Sequence, residues 1–307
     1  MIYPPIFTWF SGNLITLGLG GIMLGMGLTL RLSDFHQVKQ TPSWLLTGFF
    51  LQFTVMPFFG WLLGYMFNLP PFFAVGLILV SSCPGGTASN VIVFLSKSNL
   101  ALSVTMTTIS TIAAIVMTPV LTSNLSGNAI DVDAMGLFYS TLKVVLIPVI
   151  IGVFINSKFP NYTESIKFYS PSFAVILITL IVASIIGQGK QIILSSGFSL
   201  LLAIMILHLI GFVFGYFLSK ILLKNEAVSK TISIEVGMQN SGLGVVLAKE
   251  NFVNPAVAIP SAISSLVHSL YGSIFVVLFR KKIIKCSRRK YLEFIRNICI
   301  TNIHIYF

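Results

Sequence analysis

Charge is what this sequence has least of. Only 9% of its 307 residues are Asp, Glu, Lys or Arg, whereas a soluble domain carries about 25%. So few charges cannot clothe a water-facing surface, which excludes a soluble domain of useful size. Acid is scarcer than base, with eight Asp and Glu against nineteen Lys and Arg. Three cysteines, Cys83, Cys286 and Cys299, have spacings that form neither a disulfide framework nor a metal motif. The N-terminus lacks a charged n-region and a small-residue cleavage site, so its first apolar stretch is expected to be a retained span rather than a signal peptide. What is present is apolar: 55% of residues are hydrophobic and the mean hydropathy is +0.94. The chain reads as an all-α polytopic membrane protein.

A helix needs about 20 apolar residues to cross the hydrocarbon core. Nine stretches qualify, at about 11–30, 43–66, 71–96, 100–123, 135–156, 169–188, 194–219, 227–249 and 255–279. Loop charge gives an orientation. With the C-terminus inside, Arg31, Lys39, Lys97, Lys158, Lys167, Lys220, Lys224 and Lys230 share one side with the eight basic residues from Arg280 to Arg296. The other side holds Lys190 and Lys249 beside Asp131 and Asp133, a bias of sixteen to two. The net charge of +11 therefore reflects topology and not nucleic acid. The N-terminus is expected outside and the C-terminus in the cytoplasm. Lys143 falls inside the fifth span. It either snorkels toward the outer interface or faces a cavity as a cation for an anionic substrate, and snorkelling is the preferred reading.

Two spans are interrupted. The third contains Ser82-Cys83-Pro84-Gly85-Gly86-Thr87-Ala88-Ser89-Asn90. Pro84 removes a backbone donor, and the paired glycines weaken the helix further. The eighth contains Glu235-Val236-Gly237-Met238-Gln239-Asn240-Ser241-Gly242. These two spans run in opposite directions in the nine-span scheme. Paired interruptions in two halves of a chain point to a transporter site, because each exposes the carbonyls of one half-helix and the N–H groups of the next. Carbonyl oxygens with a carboxylate suit a hard cation, and half-helix N-termini suit an anionic or polar group. Glu235 is the only carboxylate deep in an apolar segment, where an ionisable group is costly and marks function by default. The polar residues around it have a bland alternative as helix caps and small packing faces.

The fourth span adds Ser103 and Thr107, four residues apart on one face. They are either paired hydroxyl ligands or residues bonding back to their own helix. Gln52 is an isolated intramembrane amide. His208 and His268 are each read first as packing residues, with His268 the better functional candidate because Ser264, Ser265 and Ser269 surround it.

These motifs resemble the bile acid:sodium symporter family, most nearly the bacterial homologues of the apical sodium-dependent bile acid transporter. The resemblance is carried by Cys83 to Asn90, Asn99-Leu100-Ala101-Leu102-Ser103 and Glu235 to Gly242, and extends over about residues 13–280. It implies inverted repeats with two crossing discontinuous helices. A core of about 43–123 and 194–279 would work against a panel of about 11–30 and 135–188, with a basic cytoplasmic tail at 281–307. It further implies two sodium ions and no other cofactor. One would lie among Ser89, Asn90, Ser103, Thr107 and Glu235; the other among Gln52, Glu235, Gln239 and backbone oxygens near Val236 and Met238. Substrate would lie near Thr87, Asn240 and His268. The family usually has ten spans, and this chain begins just before the family's second. The expectation is a monomeric inner-membrane symporter of an organic anion, either bile-acid-like or a small carboxylate such as a vitamin precursor, and not an enzyme. The alternative is a proton-coupled carrier or cation/proton antiporter in which Glu235 titrates.

Overall fold

Most helices begin where the sequence supplies an Asn, an Asp or a Pro. The structure, a computed structural model, describes residues 5–30, 42–127, 130–191 and 197–279. After a single turn at Pro5–Thr8, the chain forms α1 (Asn13–Thr29), α2 (Pro42–Met66), α3 (Pro71–Ser81), α4 (Ala88–Leu95) and α5 (Leu100–Ser126). There follow α6 (Ala134–Lys158), α7 (Pro160–Gln188), α8 (Gly197–Leu223), α9 (Glu226–Gly237), α10 (Ser241–Asn251) and α11 (Pro255–Phe279). The side chains of Asn99, Asp133, Asn225, Asn240 and Asn254 each accept a backbone N–H of the following turn, which satisfies donors a helix start leaves open. Pro71, Pro160 and Pro255 stand in the first helical turn, where the missing N–H costs nothing.

Among the described residues there are no strands, and five helices are long and apolar enough to cross a bilayer: α2, α5, α6, α8 and α11. Large apolar side chains such as Leu46, Phe50, Phe154, Phe217 and Leu270 are exposed on their outer faces. That arrangement suits hydrocarbon surroundings, in which only backbone polarity must be satisfied internally. The protein is polytopic, and its described residues are all-helical in architecture.

Two packing groups are evident. In the first, α1, α6 and α7 pack on one another, and Gly27 and Gly152 bring the backbones of α1 and α6 together where any side chain would collide. In the second, α8 packs on α2 and α9, and α2 on α3 and α5. The buried residues of α3 divide between two hydrophobic clusters, Val75 and Leu79 in the one that also holds residues of α1, α6 and α7, and Leu77 and Val80 in the other.

Local departures have local causes. α6 widens into a π-turn at Leu142–Leu146 directly ahead of Pro148. Proline cannot donate to the carbonyl four residues back, and the wider turn absorbs the fault. Lys143 lies in this turn and is exposed. α7 starts at Pro160, well before the apolar stretch expected from 169. Its first turns are polar, so hydropathy hides them, while proline in the first turn pre-sets the helical φ. Arg31, Lys39 and the tail at 281–307, which carried much of the charge bias, lie outside the described residues.

Candidate functional site

The two interruptions meet. Gly85 and Gln239 form an isolated antiparallel bridge. Around it, Gly86 N–H donates to the Met238 carbonyl and Asn240 N–H to the Pro84 carbonyl, each at 2.8 Å. The contact requires glycine. A Cβ on Gly86 would stand 2.8 Å from the Gln239 carbonyl oxygen, and one on Gly85 would stand 2.9 Å from Glu235 Oε2. The Pro84-Gly85-Gly86 run thus does more than break a helix; it lets one backbone pair with another inside the protein. Two further linker carbonyls are also engaged. Thr118 Oγ1 donates to Ser82 O at 2.7 Å, and Gln52 Nε2 donates to Cys83 O at 3.0 Å.

Glu235 lies on the last turns of α9, 1% exposed. Ser89 Oγ from α4 and Ser103 Oγ from α5 both donate to its Oε1, and Thr107 Oγ1 donates to Oε2 at 2.8 Å. Asn90 Oδ1 lies 2.7 Å from Ser103 Oγ. All five residues of the first expected sodium set therefore converge, although Ser89 and Glu235 are 146 positions apart. The donors are oxygens only: one carboxylate, three hydroxyls and one amide carbonyl. Hydroxyls rotate freely, so each can turn a lone pair toward a cation in place of its O–H toward Glu235. Hard oxygens around one negative charge suit a monovalent hard cation.

The second expected set is also contiguous, through amides. Gln52 Nε2 lies 2.8 Å from Gln239 Oε1, and Gln239 Nε2 lies 3.2 Å from the Val236 carbonyl. The Met238 carbonyl is held by Gly86 N–H. A small void of about 10 Å³, the size for one water, touches Gln52, Ser110 and Glu235 together.

The three residues expected near substrate do not share one surface. Thr87 lines a cavity of about 410 Å³. Asn240 and His268 are not in that lining; Asn240 is buried, and its Oδ1 accepts the Leu243 N–H as the cap of α10. The cavity lies between α1, α4, α5 and α7, walled by apolar side chains such as Met26, Phe94 and Ile178, with Thr29, Thr87, Asn90 and Ser170 as its polar points. Asn90 thus touches both the cavity and the Glu235 cluster.

His208 takes a place that its sequence surroundings did not mark. Its Nδ1 is 2.9 Å from the Gly237 carbonyl and its Nε2 is 2.7 Å from Ser264 Oγ, which in turn is 2.9 Å from Ser241 Oγ. A carbonyl can only accept, so Nδ1 carries the proton. Nε2 of the neutral ring then accepts from Ser264, and Ser264 accepts from Ser241. This chain ties α8 and α11 to the second interruption. His268 packs edge-on against His208, ring centroids 5.3 Å apart. The available signal for His208 was its position as an intramembrane histidine, which alone does not separate packing from positioning.

In an all-helical membrane protein, paired interruptions around one buried carboxylate are the kind of arrangement from which transporter sites are built. Comparison with known sequences agrees. The Sodium Bile acid symporter family matches residues 16–196, and the chain belongs to that family. It is 46% identical over 281 residues to the probable sodium/metabolite cotransporter BASS1, chloroplastic, of Arabidopsis thaliana, covering 92% of this chain and 70% of that protein. To the uncharacterized sodium-dependent transporter YocS of Bacillus subtilis (strain 168) it is 42% identical over 284 residues, covering 92% of this chain and 88% of the relative. The rice (Oryza sativa subsp. japonica) protein BASS2, also named a probable sodium/metabolite cotransporter, is 47% identical over 279 residues, 91% of this chain and 67% of that one.

Proposed function

We propose that the protein is a sodium-coupled symporter that carries a small organic anion across a membrane by alternating access. The observation that carries this is Glu235, buried at the junction of the two interruptions with hydroxyls from two other helices turned onto it. One ion would be held by Ser89, Asn90, Ser103, Thr107 and Glu235. A second would be held by Gln52, Glu235, Gln239 and the Val236 and Met238 carbonyls once the Gln52–Gln239 amide contact opens. The names of the relatives, sodium/metabolite cotransporters and a sodium-dependent transporter, support sodium as the coupling ion.

Taken as single interrupted spans, α3 with α4 and α9 with α10 bring the membrane crossings to nine, two of them discontinuous and opposite in direction. The panel would be α1, α6 and α7, and the core the remaining helices. The substrate would occupy the cavity of about 410 Å³ between these parts, within the usual range for small-molecule sites. Its apolar walls and few polar points fit a compact carboxylate with an apolar body. Asn90 would couple the two cargoes, because a shift of its side chain toward a ligand changes what Ser103 and Glu235 meet. On the charge bias the N-terminus lies outside and the C-terminus in the cytoplasm, in an inner membrane of bacterial type. With that orientation, Thr29, Leu100 and Ser170 would stand at the cytoplasmic end of the cavity.

The energetics permit steep accumulation. Two sodium ions moving through 100 mV and down a tenfold gradient supply roughly 7 kcal/mol, and importing a monoanion returns about 2.3. Roughly 5 kcal/mol is left, enough for several-thousand-fold accumulation.

The test is thermal stability of the purified protein in sodium chloride against choline chloride, for wild type and Glu235→Ala. Sodium-specific stabilisation that the variant loses is the expected result. Stability that ignores sodium but tracks pH would transfer the assignment to a proton-coupled carrier using Glu235.

A further inference from the structure

Six buried side-chain atoms have no hydrogen-bond partner among the described residues, and four of them belong to one row: Ser82 Oγ, Thr111 Oγ1, Thr122 Oγ1 and Ser126 Oγ. Their residues are 0%, 1%, 0% and 5% exposed, respectively. Three stand on α5, where Thr111 continues the Ser103–Thr107 face by one turn and Thr122 and Ser126 extend it to the helix end. Ser82 belongs to the linker packed beside them, its backbone carbonyl accepting Thr118 Oγ1 from the same helix. A buried hydroxyl left unpaired is costly, because it gives up its hydrogen bonds to water for nothing in return. Hydroxyls nearer the start of α5 that do not face Glu235 avoid that cost by folding back: Thr105 onto Ala101, Thr108 onto Val104 and Ser110 onto Thr107. The row does not.

Each end of the row is informative. At one end, Thr111 lies a turn beyond Thr107, which holds Glu235. At the other, Ser126 lines a cavity of about 230 Å³ whose rim includes Asn68, Trp61 and Tyr65, the last two stacked with centroids 6.5 Å apart. Both aromatics are exposed, as residues at a membrane–water boundary are.

We propose that this row is a hydrated access path along which a monovalent cation of sodium size reaches Glu235 from the Trp61–Tyr65 end of the protein. The proposal rests on Glu235 being an ion site. Buried hydroxyls that their own helix leaves unpaired supply the two to four polar partners that a buried water or a partly dehydrated ion needs. No carboxylate lies on the row, so an ion is passed along rather than trapped.

The test places Thr122→Cys, and Ala203→Cys as an equally buried comparator on α8, in a background of Cys83→Ala, Cys286→Ala and Cys299→Ala. Silver ion, a small monovalent cation that binds thiols, is added in nitrate buffer, and the thiols left are counted after unfolding. Position 122 is expected to react at least tenfold faster than position 203. Equal slow reaction overturns the path; if sodium still stabilises the background protein, Glu235 keeps its role. If sodium gives no stabilisation, the ion assignment fails and the path loses its cargo. In addition, Thr122→Val should slow radioactive sodium uptake into proteoliposomes several-fold without moving the sodium midpoint for stabilisation, and Thr122→Ser should restore the rate. An unchanged rate in Thr122→Val counts against the path.

Discussion

The two halves of α5 carry the same residue types at similar spacing, and their surroundings put the hydroxyls to different uses. In the first half, Ser103 and Thr107 face Glu235 and Asn90, and each hydroxyl has an acceptor. In the second, Thr122 and Ser126 are equally buried and have none among the described residues. A hydroxyl on a membrane helix therefore has no function of its own; the groups brought opposite it decide whether it becomes a ligand, a clasp or part of a wet seam. Thr118 shows the intermediate case, donating to the Ser82 carbonyl and so closing one end of the first interruption.

The comparison can be broken at several points. The largest effect is expected from Glu235→Gln, which leaves the three hydroxyl donors without their common charge. Sodium-driven uptake and sodium-dependent stabilisation should both disappear, and undiminished uptake would sink the assignment. Next comes Gly86→Ala. Its Cβ would stand 2.8 Å from the Gln239 carbonyl, so the bridge between the interruptions must shift, at about 1–3 kcal/mol by analogy with overpacked cores. A fall in Tm with weakened sodium stabilisation is expected, and unaltered behaviour would mean the junction has slack.

Ser103→Ala with Thr107→Ala should raise the sodium half-saturation tenfold or more while the protein stays folded. An unchanged half-saturation would remove both from the ion site. Thr122→Val, by contrast, should alter folding stability by no more than about 1 kcal/mol in either direction, because no protein acceptor is orphaned. A loss of several kcal/mol would show that the second half of α5 is clasped like the first. The smallest change is expected from Glu226→Gln, far from this face. Glu226 pairs with Lys220 at 2.7 Å and Lys230 at 3.5 Å and is partly exposed. Such pairs contribute about 0–1 kcal/mol, so the shift in Tm should be slight and shrink further in high salt.

Much of the fold was legible because its signals are local. Apolar runs marked the helices, although the asparagines that cap several of them emerged only from the structure. Pro84-Gly85-Gly86 and Gly237 to Gly242 marked the interruptions, each within a few residues. The members of the Glu235 cluster were legible as well, partly as unusual polar residues at depth and partly through resemblance to a family. The start of α7 at Pro160 was not, since its polar first turns give hydropathy nothing to detect. Neither was the pairing of His208 with the Gly237 carbonyl and Ser264, because an isolated histidine looks the same in sequence whether it packs or clasps.

By itself, the sequence determined a polytopic helical protein, the places where two helices fail, and a lone carboxylate beside one failure. Hydropathy, proline and glycine act through the backbone of their own turn, so a linear reading captures them. Only the tertiary structure decided which distant groups meet. It brought Ser89 and Ser103 onto Glu235, Gln52 onto Gln239, and Asn90 to both the ion cluster and the cavity, and it left Thr122 without a partner among the described residues. Those contacts depend on the packing of helices far apart in the chain, and no local propensity specifies it.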